Sequence, residues 1–172
     1  DEAILVKISN SISEKISTLL TQVRVIRKGT TTADDPNSAE AAGTKVTKDR
    51  DGKAKSDEDF KNASTAEKLE WVKKNLVEGN VDNPEEESKK FVGKDLRFSF
   101  TDVDLPPQFL FDIELNAGIY FIKMNKKHPA FLNFIKLLHD QDKELKKEDD
   151  EPSSEKGLKL LLESWARLED EA

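Results

Sequence analysis

The sequence contains no cysteine. That absence removes disulfide frameworks, thiol nucleophiles, iron–sulfur clusters and cysteine-ligated zinc, and it fits a reducing, cytoplasmic setting. Histidine is nearly as scarce: His128 and His139 are the only two, and neither sits in an i, i+4 pair around a glutamate, so the helical zinc motif is excluded. No apolar run approaches the roughly 18–20 residues that cross a bilayer, and no short greasy stretch follows a charged start, so no membrane partner is expected. The seven glycines are scattered, with no G-x-G-x-x-G and no G-x-x-x-x-G-K-[ST], so no phosphate-cradling loop is present. A G-x-S-x-G nucleophile elbow is also missing. Lys and Arg number 28 against 35 Asp and Glu, a net charge of −7, so the balance opposes a dedicated binder of phosphate backbones.

What is present suits one ordinary domain of 172 residues. Charged residues make up 37% and apolar residues 35%, so either much of the chain is solvated helix surface or part of it stays out of the core. The first residue is Asp1 and a helical pattern begins almost at once, so the chain reads as cut from something longer.

From Ile4 to Ile26 apolar residues recur in steps of three and four through Ile8, Ile12, Ile16, Leu19, Leu20 and Val23, which predicts a long N-terminal amphipathic helix. Arg24, Arg27 and Lys28 suit its negative end, and Gly29 stops it. Lys15 and Gln22 break a strict heptad. Two readings stay open: a helix lying on its own domain's core, or a contact with another chain such as a homodimer. Residues 30–59 hold one sizeable apolar residue, Val46, and are expected to be a flexible polar insertion. Within them Thr47, Asp49, Asp51, Gly52 and Glu58 fall on calcium-loop positions, but Thr47 replaces the required aspartate, so a solvated linker is preferred.

Residues 60–172 carry an α+β pattern. Ser64 and Glu67 form a capping box ahead of a helix over 65–77, and Asn83-Pro84 opens a shorter helix ending at Gly93. The period then falls to two. Leu96, Phe98 and Phe100 mark one strand, Phe109 to Leu115 a second, and Ile119 to Met124 a third, with Asn116-Ala117-Gly118 as the hairpin turn. The expected fold class is α+β: a small antiparallel sheet of about three strands packed by several helices. Asp112 and Glu114 read as solvent-facing strand residues. Pro129 opens another helix with Phe131, Leu132, Phe134, Ile135, Leu137 and Leu138, after which charge takes over from Asp140 to Glu155. The last helix carries Leu158, Leu161, Leu162, Trp165 and Leu168, a docking face. Arg97, Lys123, Lys126 and Lys127 are candidates for a basic patch at one sheet end, suited to a phosphate or nucleic-acid backbone; the plainer reading is a solvated edge.

Three stretches read together carry a resemblance. They are Leu105-Pro106-Pro107-Gln108-Phe109-Leu110-Phe111-Asp112-Ile113-Glu114, then Gly118 to Asn125-Lys126-Lys127-His128-Pro129-Ala130-Phe131, and then Leu160 to Glu171, with Arg27-Lys28-Gly29-Thr30 closing the first helix. This arrangement resembles the region downstream of the ATP-binding domain in the superfamily of histidine kinases, gyrase B, MutL and the ninety-kilodalton heat-shock chaperones. Ala130 departs from the family's Asn-x-x-His-Pro-Phe-like motif. The resemblance implies a non-catalytic C-terminal coupling or interaction region, with ATP and magnesium held by an upstream ATPase domain and no cofactor here. It carries no catalytic residue over. It marks Asn125, His128, Pro129, Trp165 and Arg167 as structural or interface residues. The alternative is a free-standing α+β module that binds protein or nucleic acid. An enzyme is disfavoured because nucleophile, base and orienting group cannot be assembled.

Overall fold

The computed structural model describes residue 33, residues 35–138, residue 140 and residues 154–172. The helix expected over 4–26, the first-helix homodimer, His139 and most of the charged connector lie outside the described residues. Four helices come first: α1 (Ala39–Asp49), α2 (Lys55–Asn62), α3 (Thr65–Glu78) and α4 (Pro84–Gly93). Strands β1 (Phe98–Val103), β2 (Phe111–Asn116) and β3 (Ile119–Asn125) follow, then a π-helical turn at Phe131–Ile135 and helix α5 (Ser154–Glu171).

The fold is mixed α+β, with one three-stranded sheet packed by helices. Its strand order is β1-β3-β2, and β1 runs parallel to β3 while β2 runs antiparallel to it. The sheet is therefore mixed, which corrects the antiparallel expectation. All seven residues of β3 are buried, the signature of a central strand, whereas β2 alternates between half-buried and exposed positions, as an edge strand does. The 104–110 connection carries the chain past the end of β3 to that far edge. Ala117 and Gly118 turn the β2–β3 hairpin with φ of 52° and 71°, the left-handed pair that a tight two-residue turn demands.

Residues alternate across the sheet into two cores. Ile119 and Phe121 point to one face, where α3 and α4 supply Val72, Leu76 and Phe91. Phe98, Phe100, Tyr120, Ile122 and Met124 point to the other, covered by Leu162 and Ala166 of α5 and by Phe131. Ser64 caps α3 by accepting from the Glu67 N–H at 3.1 Å, as its position predicts. Asn83 precedes α4 with φ 52° and makes no side-chain cap.

The stretch 30–59 is not a flexible insertion throughout. Residues 39–49 and 55–62 are helical, and Ala39, Glu40, Gly43, Thr44, Thr47, Ala54, Ser56 and Asp57 are buried. Small residues let α1 close against α5 and the β1 edge, and Ser38 caps it by accepting from the Ala41 N–H at 3.2 Å. Low hydrophobicity misleads here because the buried groups are small or ion-paired. The calcium-like spacing is spread over the end of α1 and the start of α2, with Thr47 buried in the helix.

Candidate functional site

The sequence-predicted basic patch does not assemble. Arg97 precedes β1 at the hairpin end of the sheet, while Lys126 and Lys127 follow β3 at the opposite end, a strand length of about 20 Å away. Lys123 is buried between Glu114 (2.7 Å) and Glu78 (2.8 Å). Burial would lower its pKa, but the two carboxylates raise it overall. Lys127 is exposed and paired with Asp104 at 3.2 Å. The cations therefore stand apart, and two of them are sequestered.

Arg97 instead belongs to a buried network under α5. Asp57, near the start of α2, takes two bonds from Arg167, at 2.6 Å to Oδ1 and 2.7 Å to Oδ2, and one from Arg97 at 3.2 Å. Its Oδ2 also accepts from the Gly52 and Ala54 backbone N–H groups. Burial alone would raise the Asp57 pKa, yet Arg167, the Ala54 N–H and Arg97 hold it well below the usual carboxylate range. Arg97 further donates to Ser56 Oγ at 2.9 Å and to the Gly118 carbonyl at 2.7 Å, and its guanidinium lies 4.6 Å from the Phe60 ring centroid. Tyr120 closes the cluster, its hydroxyl 2.7 Å from both Ser56 Oγ and Asp170 Oδ2 and its ring stacked on Phe98. Arg50 pairs with Glu171, and its backbone carbonyl accepts from Arg167 Nη2 at 3.1 Å.

Chemically this network is saturated. Ser56 is fully buried and its hydroxyl is engaged by Tyr120 and Arg97, which fits a structural rather than a nucleophilic role. The network ties α2, β1, β3 and the C-terminal half of α5 into one body. Arg167 is thus structural, whereas Trp165, two residues earlier, is exposed and donates only to Glu169 at 2.8 Å.

Asn125 works at the other end of the sheet. It is fully buried, its amide donates to the carbonyls of Pro106 (3.0 Å) and Phe109 (2.7 Å), and its Oδ1 accepts from the N–H groups of Leu105 (3.1 Å) and Lys127 (2.9 Å). Four bonds from one side chain pin the connection between β1 and β2. His128 Nδ1 accepts from the Ala130 N–H at 3.1 Å across the exposed Pro129, a helix-start contact.

A second buried polar group joins α1 to α5. Glu163 is 2% exposed and its carboxyl lies against Gly43, with no hydrogen-bond partner among the described residues. Glu40 is close by, and Lys159 lies 3.9 Å from Glu40 and 3.1 Å from Glu155. Burial first, and then the Glu40 charge, push the Glu163 pKa up to about 9, with Lys159 opposing. Glu163 is therefore a neutral acid near pH 7. Among the described residues no group of three or more His, Asp or Glu side chains is placed to hold a metal ion.

The remaining feature is apolar. Lys159, Glu163 and Arg167 face α1 and α2, and Leu162 and Ala166 face the sheet. Leu161, Trp165 and Leu168 consequently fall on the flank turned away from α1 and are 64%, 54% and 62% exposed. Since α1 packs at the β1 edge, that flank overlooks the β2 side, where Leu115 is exposed and Phe111 and Ile113 are half-buried. Leu132, Phe134 and Leu137 are exposed in and after the π-helical turn. Scattered apolar side chains are ordinary on a surface; three at i, i+4 and i+7 on one anchored helix are not.

No known protein family matches this sequence, and no curated protein or solved structure matches it either. No helix among the described residues is long and apolar enough to cross a membrane.

Proposed function

We propose that this chain is a non-catalytic α+β protein-interaction module whose working surface is the Leu161–Trp165–Leu168 flank of α5. The observation that carries this reading is the division of labour on one helix. Its inner faces are fixed by the sheet and by the Asp57–Arg167 pair, while a continuous apolar stripe is left to solvent. A rigidly held helix presenting i, i+4 and i+7 anchors suits an amphipathic partner helix. Trp165 is the natural anchor, since a large amphipathic ring contributes most when a partner desolvates it. Nucleic acid suits this surface poorly, because the neighbouring exposed charge is Glu169 and two of the four candidate cations are buried in ion pairs.

Coupling to an upstream ATPase domain is a more specific form of the same reading. Its support is the short-motif resemblance alone, and the geometry favours no nucleotide role. The test compares proteins retained from the native cell extract by the full chain, by Leu161→Asp/Leu168→Asp, and by Val77→Asp on exposed α3 as control. A protein retained by the full chain and the control but lost from the double variant, with unchanged circular dichroism, is the expected result. Equal retention by all three refutes the reading.

A further inference from the structure

We infer that the outer edge of β2 takes an extended peptide in which cationic and apolar residues alternate, added to the sheet as a fourth strand. This surface is distinct from the α5 flank, and the inference goes beyond that reading. The inner side of β2 decides which backbone groups are left over. The Asn125 N–H donates to the Leu110 carbonyl at 2.9 Å, and from there the register runs one to one, from Phe111↔Met124 to Asn116↔Ile119. Hydrogen-bonded pairs alternate with non-bonded ones in an antiparallel ladder, so Asp112, Glu114 and Asn116 direct their backbone groups to β3. The N–H and C=O groups of Phe111, Ile113 and Leu115 therefore point outward, and among the described residues they have no partner. Exposed edges are usually blunted by proline, lysine or a bulge, and β2 has none of these between Phe111 and Asn116. The β1 edge differs, because α1 packs there and Thr44 Oγ1 accepts from the Arg97 N–H at 2.9 Å.

The charge on this edge selects the occupant. On the face toward α3, Lys123 Nζ sits between Glu114 at 2.7 Å and Glu78 at 2.8 Å. Asp112 lies opposite Lys123 in the ladder, is exposed, and has no ion pair among the described residues. Asp112, Glu114 and Glu78 thus share a single cation. A second copy of the chain paired antiparallel about Ile113 would set the Asp112 of each copy against the Glu114 of the other, a like-charge contact at the closest cross-strand spacing. A strand with Lys or Arg at two positions two residues apart places a cation beside each carboxylate instead. Its intervening residues turn to the α5 face, where Phe111 and Ile113 are half-buried and Leu115 is exposed, so they are apolar. Backbone bonds to Phe111, Ile113 and Leu115 supply the affinity and the alternation supplies the selectivity.

The probe is the peptide acetyl-TKVKIKT-amide, with acetyl-TEVEIET-amide as control, added to the 15N-enriched full chain. Amide exchange followed by NMR should be slow at Asp112 and Glu114 and fast at Phe111, Ile113 and Leu115 in the free protein. The basic peptide at saturation should slow Ile113 and Leu115 about tenfold or more, and the acidic one should not. Asp112→Lys should weaken binding of the basic peptide roughly tenfold. Leu115→Pro removes an outward donor and no bond to β3, and should weaken binding at least as much with circular dichroism unchanged. Slow exchange at Phe111, Ile113 and Leu115 without peptide, constant or rising with protein concentration, would show the edge already filled and overturn the inference. Equal binding of the two peptides, binding that leaves those amides unprotected, or no binding would overturn it as well. Protection is read on β2 and retention on α5 variants, so either reading can fail alone.

Discussion

Replacing Glu163 by Gln should stabilise the protein, and only above acidic pH. Glu163 is buried between Gly43 of α1 and the sheet, with Glu40 rather than a bonded cation as its nearest charge relation. Its pKa rises from 4.5 to about 9, so below pH 4.5 the acid is protonated in both folded and unfolded chains and contributes no pH dependence. Above that value the unfolded chain releases the proton while the folded chain keeps it. Each pH unit then subtracts ~1.4 kcal/mol from stability until the folded value is reached. By pH 7 the full loss is about 3 kcal/mol, an upper figure because relaxation around the carboxyl reduces it. Gln has the same shape and no proton to lose. Urea unfolding of both proteins at pH 4, 5.5 and 7 should show a difference near zero at pH 4 that grows with pH, and thermal unfolding at pH 7 should show a rise in Tm of up to about 10 °C. A variant that is less stable at every pH, or a difference that does not change with pH, would show that Glu163 is ionised in the native state and refute the argument.

Asp57→Asn should be the most damaging conservative change, since it leaves Arg97 and Arg167 buried without their carboxylate; the expected loss is about 3–5 kcal/mol in urea unfolding, and a loss below ~1 kcal/mol would contradict the network's assigned role. Because the Asp57 pKa is depressed, its contribution is fully present above the ordinary carboxylate value and is lost as pH falls toward the folded one, opposite in sign to Glu163. Asn125→Ala should remove four bonds to loop backbone and cost about 2–4 kcal/mol, with amide exchange accelerating over 104–110 before the helices; uniform acceleration would refute a local role.

The legible parts of the fold were those governed by periodicity. Helices α3 and α4 and the three strands lie within a few residues of where spacing, Ser64, Pro84 and Gly118 put them. Strand order was not legible, because apolar alternation fixes which face a residue takes and not which neighbour it pairs. The continuous apolar run Ile119-Tyr120-Phe121-Ile122, in place of the alternation seen in β2, was the available signal for a central strand, whose residues are all buried. Helices α1 and α2 were missed because a polar stretch reads as solvated until its distant partners are known. Asp57 is buried because Arg167, 110 residues later, meets it. The same blindness turned Arg97 and Lys123 into a surface patch. One clue was present in α5: Glu163 and Arg167 sit four apart beside Leu162 and Ala166, on the face that packs inward, and charge placed there implies a buried partner.

The outer flank of α5 is the proposed working surface of this protein. Amide and indole shifts of the full chain, followed by NMR as the retained partner is added, test it most directly. The account predicts that the largest changes fall on Leu161, Ser164, Leu168 and the Trp165 indole N–H, with the Asp57–Arg167 network unmoved. Changes centred on Lys126, Lys127 and His128 at the opposite end of β3, with the Trp165 indole unchanged, would contradict it.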